Sequence, residues 1–332
     1  MARALVLGGT GLLGFHTVTE LLRRGNEVTS VSLPGSDQGT LAPEVTAVWA
    51  DLTTLPDADL LDLFAGHDAL FYAIGADERT IPAAPAARFF YQANVLPTQR
   101  IARLAREAGV KKFVLYGSYT AEFAQRWTDI AYRENPYPRT RLLQEEVAIM
   151  EGAGAMDVMV LRLPYIFGLV AGQRPLWQFV LDRASVADQP VTVLGGTTSS
   201  VTAEQVAQAA VGAMERGEHG ATYAINGYDL SYAELYTIAC TLIGRDPADV
   251  VVVPLDAVLP TYQKLDDQLA AQGVEHGVHL PFTAMFQERD AVTDPAATLP
   301  VLGVEEQDVV AALTASLQWC VDHPVQQLAA AH

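Results

Sequence analysis

The first half of the chain alternates short apolar runs with stretches whose apolar residues recur at helical spacing. Short apolar runs of this kind are typical of buried strands. On this basis six strands are predicted, over residues 4–7, 27–32, 47–50, 69–74, 112–116 and 158–161. Regular alternation of strands and helices predicts right-handed crossovers, and hence a parallel sheet covered by helices on both faces. The pattern therefore predicts a doubly wound α/β fold, which binds ligands at the carboxyl ends of its strands.

The second half of the chain has a looser pattern. Two predicted helices begin with capping boxes, Thr202 with Gln205 and Ser231 with Glu234. Residues 254–285 are rich in Pro, Gly and aromatic residues without a clear period, which is consistent with a lid or a substrate wall. Because 332 residues exceed what one hydrophobic core usually supports, we expect two parts. These are a sheet domain over 1–165 and a smaller C-terminal α/β substrate lobe over 166–332.

Composition narrows the class of protein. Hydrophobic residues make up 50% and charged residues 18%, and no apolar run reaches the roughly 20 residues that span a bilayer, so no membrane is expected. The net charge of -18 disfavours nucleic acid as a partner. Cys240 and Cys320 lie far apart, which argues against a disulfide framework or a CxxC site. A strand that begins at Ala2 leaves no room for a targeting segment, so a cytoplasmic location is expected.

A glycine-rich turn directly follows the first predicted strand. Gly8 allows a tight turn, Gly11 lets the backbone approach a pyrophosphate, and Gly14 lets helix and strand pack closely. The helix N-terminus adds N–H groups and a positive dipole for the phosphates. Further cofactor contacts in this turn are predicted for Thr10, Leu12 and Leu13. The strand, turn and helix together predict a Rossmann fold that binds NAD or NADP.

The end of the second strand bears on the choice between NAD and NADP. A Rossmann turn is normally followed, about 20 residues on, by an acidic residue for the ribose or a basic one for a 2′-phosphate. Leu33 occupies this place, and no Lys or Arg lies between residues 26 and 50. The lack of a cation slightly favours NAD, whereas the lack of an acid leaves NADP open. Asp51 and Leu52, after the third strand, are expected at the adenine end, although Asp51 could instead cap a helix.

Three motifs together resemble the extended short-chain dehydrogenase/reductase family, including its epimerase/dehydratase branch. They are the glycine turn, the strand that ends Phe71-Tyr72-Ala73-Ile74-Gly75, and the stretch Tyr137-Pro138-Arg139-Thr140-Arg141. The likeness covers nearly the whole chain, and only residues 254–285 fall outside it. The resemblance implies an NAD(P) cofactor in contact with Ala73, Gly75 and Pro164.

The same resemblance implies a catalytic set. In this family the chemistry is done by a serine after the fifth strand and a tyrosine of a Y-x-x-x-K motif, matched here by Ser118 and Tyr137, with Asn94 in the fourth helix. A tyrosine hydroxyl can donate a proton to a carbonyl as hydride arrives from the nicotinamide, once its pKa of about 10 is lowered. The family's lysine, which lowers this pKa and holds the nicotinamide ribose, is replaced by Arg141.

Arg141 is the main departure from the family pattern. Arginine keeps the charge but is a planar fork donor. Arg141 could serve both lysine roles with altered geometry, the set could be degenerate, or another residue could be the acid. A purely structural interpretation is that Tyr137 begins a helix and Ser118 caps a turn. Because Ser118, Tyr137 and Asn94 are all retained, we favour an active enzyme.

Few cations are available for a nucleotide sugar. Tyr165 stands where relatives that act on nucleotide sugars often have Asn, and Arg174 and Arg183 are the nearest basic residues after it. Aromatic residues expected near the cleft are Phe89, Phe90, Tyr91, Tyr119, Phe123, Trp127, Tyr165, Phe167 and Trp177. We therefore expect an NAD(P)-dependent oxidoreductase that reduces a ketone or aldehyde of an apolar small molecule. The alternatives are an NAD-dependent epimerase or dehydratase and a non-catalytic dinucleotide-binding sensor.

Two further expectations concern metals and assembly. His276 and His279 could be a pair of metal ligands, but Gly277 between them argues against a stable helix and no third ligand is evident. No metal site is therefore predicted. Family members of this size commonly form homodimers through two long helices, here approximately residues 86–107 and 137–152. A homodimer is therefore a possible assembly.

Overall fold

The computed structural model describes residues 1–36 and 39–324. Its strands are β1 Arg3–Leu7, β2 Glu27–Ser32, β3 Thr46–Trp49, β4 Ala69–Tyr72, β5 Lys112–Ser118, β6 Asp157–Leu163, β7 Tyr165–Phe167, β8 Val191–Val193, β9 Thr197–Thr202, β10 Thr222–Ala224, β11 Tyr228–Ser231 and β12 Val250–Val252. Its α-helices are α1 Leu12–Arg23, α2 Asp57–Phe64, α3 Ala86–Phe90, α4 Leu96–Glu107, α5 Tyr119–Arg126, α6 Pro136–Gly152, α7 Gln178–Ala184, α8 Ala203–Arg216, α9 Tyr232–Leu242, α10 Leu255–Ala271, α11 Leu280–Glu288, α12 Leu299–Leu302 and α13 Val309–Asp322. A π-helical turn, Tyr91–Val95, joins α3 to α4, and 3₁₀ turns lie at Tyr132–Glu134, Pro247–Asp249 and Pro295–Ala297.

The largest sheet has seven strands in the order β10-β6-β5-β4-β1-β2-β3, and every neighbouring pair is parallel. All six predicted strands are present in it, so the predicted doubly wound Rossmann fold is confirmed. The chain builds outward from β1 to β3 on one side and from β4 onward on the other. Such a reversal opens a crevice at the carboxyl ends of the strands beside β1 and β4.

Two hydrophobic cores cover the two faces of this sheet. One is formed with apolar residues of α1 and α8, such as Val18 and Val206, and the other with residues of α2 and α4, such as Phe64 and Leu104. Every residue of β4 is buried. This explains why the central strands are continuously apolar rather than alternating.

The C-terminal half contributes both to this sheet and to a separate hydrophobic core. Helix α8 packs against α1, and β10 pairs with β6 at the edge of the large sheet. Two small sheets, β11-β9-β7 and β12-β8, surround a third core made with α7, α9 and α13. Residues 325–332 of the predicted C-terminal lobe lie outside the described part of the chain. Within the described part, no helix combines the length and the apolar character that crossing a membrane requires.

The segment in which no clear sequence period was recognised is helical. Residues 254–285 contain α10 and most of α11, and α10 buries none of its residues and contains Pro260. The half-buried residues of α10 recur at helical spacing, so the period is present although the sequence analysis did not recognise it. They are Leu255, Val258, Leu259, Tyr262, Asp266 and Leu269. The capping box of Thr202 and Gln205 is present, whereas that of Ser231 is half formed because the Glu234 carboxylate accepts instead from the Tyr228 hydroxyl, at 2.8 Å.

Candidate functional site

The turn between β1 and α1 adopts a geometry that requires its glycines. Gly8 has φ of +93°, and its carbonyl oxygen accepts a hydrogen bond from Gly11 N at 3.0 Å. A Cβ atom on Gly14 would lie 2.1 Å from that oxygen, whereas one on Gly11 would meet only this oxygen, at 3.4 Å. Leu12 and Leu13, half-buried, begin α1, whose first turn carries no acidic residue. The helix N-terminus can therefore receive an anionic group in the open space above the turn.

Thr10 ties this turn to the end of β2. Its backbone N–H donates to Ser32 Oγ at 3.2 Å, and its hydroxyl lies 3.1 Å from that of Ser36. The Ser36 hydroxyl donates to the Leu33 carbonyl at 2.8 Å, and the Leu33 side chain is 59% exposed. These contacts include no charged group. The choice between NAD and NADP therefore stays a prediction.

Asp51 caps a turn and not the helix that the sequence left as an alternative, since α2 begins only at Asp57. Its Oδ1 accepts hydrogen bonds from the Thr53 hydroxyl at 2.6 Å and the Thr53 backbone N–H at 2.9 Å. These bonds hold the pKa of the Asp51 carboxyl below its ordinary value. Leu52 is buried in the core beneath α2 and α4. Both residues lie beyond the carboxyl end of β3, and their contact with an adenine stays a prediction.

Ser118, Tyr137 and Arg141 come together beyond the carboxyl end of β5. Ser118 ends β5 and caps α5, since its Oγ accepts from Thr120 N at 3.3 Å and lies 2.9 Å from the Thr120 hydroxyl. Tyr137 lies in the first turn of α6, where its backbone N–H donates to the Gly277 carbonyl at 2.7 Å. The purely structural roles considered for these two residues are thus present, and the same two side chains also face each other.

The electrostatics of Tyr137 follow from this arrangement. Burial raises the pKa of its phenol, and the Arg141 guanidinium opposes that rise. The Glu78 carboxylate raises the pKa further, and the Ser118 hydroxyl lowers it. The net direction is upward, so the lowered pKa that the sequence led us to expect is not found in this structure. The phenol keeps its proton at neutral pH, and Arg141 and Ser118 limit the rise that burial causes.

Arg141 is buried, with 7% of its surface exposed. One terminal nitrogen donates to the Tyr116 carbonyl at 2.8 Å and the other to Gln144 Oε1 at 2.7 Å. Its Nε is buried and has no hydrogen-bond partner among the described residues. An unpartnered buried donor is costly, which makes this nitrogen a candidate contact for a ligand.

Asn94 holds the loop after β4 from within the π-helical turn. Its Oδ1 accepts from Ala76 N at 2.8 Å, and its Nδ2 donates to Ala76 O at 2.9 Å. Gly75 has φ of +146°, and a Cβ there would lie 2.7 Å from Asn94 Oδ1. The structure therefore gives Asn94 a positioning contact with this loop.

The other predicted cofactor residues lie at the same edge of the sheet. Ala73 follows β4, and its carbonyl oxygen would lie 2.8 Å from a Cβ on Gly8. Pro164 is buried between β6 and β7. Their contacts with a cofactor stay predictions.

A cavity of about 190 Å³ opens next to these groups. Its wall includes Thr120, which is hydrogen-bonded to Ser118, and His276 and Val278, which flank the Gly277 carbonyl bound to Tyr137. The remaining lining residues are Glu78, Arg79, Tyr119, Tyr132, Tyr165, Tyr232, Leu280, Thr283, Phe286 and Gln287. Part of the segment 254–285, which the sequence suggested as a lid or substrate wall, thus lines this cavity through His276, Val278, Leu280 and Thr283.

Glu78 is a cavity residue that the sequence analysis missed. Burial, together with the negative charge of Asp77, raises the pKa of its carboxyl to about 7. A signal was available, because Asp77, Glu78 and Arg79 follow Gly75 at the carboxyl end of β4, where ligands bind in this fold. From the sequence alone, however, three consecutive charged residues are typical of a solvent-exposed loop.

Other candidate residues are distributed between the cavity and the cores. Tyr119 and Tyr165 line the cavity, Phe90 and Phe123 are fully buried beside it, and Phe167 and Trp177 belong to the core of the C-terminal lobe. His279 Nδ1 lies 2.9 Å from Asp266 Oδ2 and its Nε2 3.3 Å from Glu275 Oε1. Within the described residues, no cluster of three or more His, Cys, Asp or Glu side chains could hold a metal ion.

Known proteins resemble this chain in sequence and in structure. The model of the NAD dependent epimerase/dehydratase family matches residues 4–226. The human sterol-4-alpha-carboxylate 3-dehydrogenase, decarboxylating, is 29% identical over 155 residues, which cover 44% of this chain and only 39% of that enzyme. The crystal structure of gox2253 superposes with a TM-score of 0.77 at 21% identity over 97% of this chain and 99% of that one. MoeE5 in complex with UDP-glucose and NAD superposes with a TM-score of 0.67 at 22% identity, again over 97% and 99%.

Proposed function

The chain belongs to the NAD-dependent epimerase/dehydratase family, and from that premise we propose that it is an NAD(P)-dependent oxidoreductase. Its substrate is a ketone or aldehyde of an apolar or aromatic small molecule. The observation that carries the proposal is the Tyr137 side chain beside Ser118 and Arg141, next to a cavity with largely aromatic and aliphatic walls. Tyr137 is the proton donor.

The residues of the turn and of α6 fit a dinucleotide. The open N-terminus of α1 suits the pyrophosphate, and the unpartnered Nε of Arg141 suits a ribose hydroxyl near the nicotinamide. The absence of a cation around Leu33 supports NAD over NADP. When bound, the nicotinamide supplies the hydride.

The protein side of the reaction is proton transfer and orientation. The Ser118 hydroxyl donates a hydrogen bond to the substrate carbonyl oxygen and fixes its direction. Tyr137 gives its proton to the same oxygen, and the Arg141 cation stabilises the tyrosinate that remains. Asn94 keeps the loop after β4 in place beside the reacting groups.

Turnover tests this proposal directly. A panel of cyclic, aromatic and aliphatic ketones and aldehydes should oxidise NADH or NADPH in the presence of the wild-type protein and not of Tyr137→Phe. Tight cofactor binding in calorimetry without oxidation of either cofactor by any compound would contradict it. That result would favour the non-catalytic sensor.

An epimerase or dehydratase is the second candidate. A smaller cavity shares Tyr165, Tyr232 and Gln287 with the first and adds Arg183, a cation that could meet a phosphate. Together with the fold likeness to MoeE5 bound to UDP-glucose and NAD, this favours a nucleotide-sugar substrate. Cofactor that co-purifies with the protein, and conversion of a nucleotide sugar without net consumption of NADH, would establish this candidate over the first.

A homodimer through α4 and α6 is part of the same proposal. The two helices pack side by side and expose Leu96, Leu143 and Met150, the last to 66%. Such apolar side chains suit a protein interface. Light scattering after gel filtration should give the mass of a dimer for the wild type. Met150→Glu should shift the mass toward that of a monomer. A monomeric wild type would contradict the proposed homodimer.

A further inference from the structure

The loop after β4 contains three consecutive charged residues with different surroundings. Asp77 binds Arg79: its Oδ1 accepts from the Arg79 backbone N–H at 2.9 Å and from Nε at 3.1 Å, and its Oδ2 accepts from Nη2. The Arg79 cation is therefore already paired with Asp77. Between them, the Glu78 carboxylate has no hydrogen bond and no ion pair with any residue that the structure describes, and it lines the cavity.

The surroundings of Glu78 are mainly aromatic. Next to burial itself, the charge of Glu78 is one of the causes that raise the pKa values of Tyr119, Tyr132, Tyr137, Tyr165 and Tyr232. Four of these tyrosines, Tyr119, Tyr132, Tyr165 and Tyr232, line the same cavity as Glu78. Glu78 itself is half-buried. A carboxylate at a cavity wall that has no partner in the described protein is available to a hydrogen-bond donor on a ligand.

The cavity extends from the reacting groups toward Glu78. Thr120 lies in its wall and is hydrogen-bonded to Ser118, and Glu78 acts electrostatically on Tyr137. A substrate whose carbonyl lies at Ser118 and Tyr137 would therefore place its remaining atoms in the cavity. A carboxylate there accepts hydrogen bonds but repels anions, and the net charge of -18 acts in the same direction.

We propose that Glu78 is a substrate-recognition residue that accepts a hydrogen bond from a hydroxyl or protonated amine on an otherwise apolar carbonyl substrate. The proposal rests on the carbonyl reduction proposed above and specifies its substrate class. The carboxylate can accept a hydrogen bond from either group. The aromatic rings around it additionally favour the protonated amine, since ring faces attract cations. Substrates with a carboxylate at the same place are excluded.

Four matched ketones test the proposal: cyclohexanones that carry a 4-methyl, 4-hydroxy, 4-amino or 4-carboxylate group. In the wild type, kcat/KM should be about tenfold to a hundredfold higher for the amino and hydroxy compounds than for the methyl compound, the effect of a hydrogen bond to a charged group. The carboxylate compound should be the poorest. Glu78→Gln should remove most of the advantage of the amino compound over the methyl compound, because the amide has no charge.

The control is Glu134→Gln, which neutralises an exposed glutamate two residues from Tyr132 in the cavity wall. It should leave the ranking unchanged. A ranking that is the same in the wild type and Glu78→Gln, or a wild-type preference for the methyl compound, would overturn the proposal. Circular dichroism verifies that both variants are folded.

Failure of the reductase function is distinguishable from failure of this inference. If none of the ketones is reduced, ligand-observed NMR with trans-4-aminocyclohexanol reports binding without turnover. Binding to the wild type that weakens about tenfold in Glu78→Gln would support recognition by Glu78 although the reaction assigned above is wrong. Equal binding to both proteins, or none to the wild type, would overturn the role of Glu78.

Discussion

The guanidinium carbon of Arg141 lies 5.5 Å from the centroid of the Tyr137 ring, one turn along the same helix. The cation is held there because the Tyr116 carbonyl and the Gln144 side chain bind its two terminal nitrogens. A lysine ammonium, as a single point donor, cannot reproduce both bonds with the fork geometry of arginine. Arg141 is therefore both an electrostatic partner of Tyr137 and a link between α6 and β5.

Replacement of Tyr137 by Phe tests the proton donor. Tyr137→Phe should keep the edge-to-face contact with Phe90, whose ring centroid lies 5.2 Å away, and so preserve the fold. We expect kcat to fall by about a hundredfold or more, the usual contribution of a general acid. Cofactor affinity measured by calorimetry should hardly change. Unaltered turnover in this variant would refute the assignment.

Two substitutions separate the roles of Arg141. Arg141→Lys should keep or raise turnover, because a cation remains beside Tyr137, and Arg141→Ala should weaken both turnover and cofactor binding. Both substitutions should lower the free energy of unfolding, since the Tyr116 carbonyl loses its donor. The expected loss is about 1–3 kcal/mol for each buried acceptor left unpaired. Steady-state kinetics measure turnover, and thermal unfolding measures stability, in the wild type, Arg141→Lys and Arg141→Ala. Equal activity in all three would make the position purely structural.

The parts of the molecule that the sequence predicted are those in which local pattern and tertiary structure agree. Strands β1, β2, β4, β5 and β6 are largely buried, so each appears as an apolar run, whereas β3 at the edge of the sheet is mostly exposed. Gly8 and Gly14 occupy places where no Cβ fits. Arg141 follows Tyr137 by one helical turn, so their proximity was expected from spacing alone.

The parts that it did not predict depend on contacts between distant segments. Whether Glu78 is solvated depends on residues 276–287, which cover it from the far end of the chain. Helix α10 was not predicted because it contains Pro260 and none of its residues is fully buried. The pairing of Arg79 with Asp77 rather than with Glu78 is likewise a matter of local geometry that composition does not reveal.

Asn94→Asp tests the positioning of the loop after β4. Aspartate can still accept from Ala76 N but cannot donate to Ala76 O, and it places a negative charge against that carbonyl. We expect a lower kcat and a loss of roughly 1–3 kcal/mol in unfolding free energy. Gln92→Glu is the matched control, because it adds the same charge at an exposed position of the same π-helical turn. Equal effects of the two substitutions would contradict a specific role for Asn94.

Glu78 should make stability depend on pH between its ordinary and its raised pKa. In the folded chain the pKa is about 7 against an ordinary value of 4.5, so the folded state binds more protons than the unfolded state in this interval. Stability contributed by the protonated carboxyl is therefore lost as the pH rises from about 4.5 to about 7. The charged groups that act on Glu78 are Asp77, which raises its pKa, and Arg79 and Arg141, which lower it.

Glu78→Gln has no such carboxyl and should remove this part of the pH dependence. The difference in melting temperature, variant minus wild type, should be smallest near pH 5 and should grow toward pH 8, where the wild type carries an unpaired carboxylate. Other groups with shifted pKa values, such as Glu145, whose pKa burial raises, and His276, whose pKa burial lowers, are common to both proteins and cancel in the difference. Thermal unfolding of both proteins at half-unit steps of pH measures this difference in melting temperature. A difference that stays constant from pH 5 to pH 8 would mean that Glu78 is ionised in the folded protein throughout.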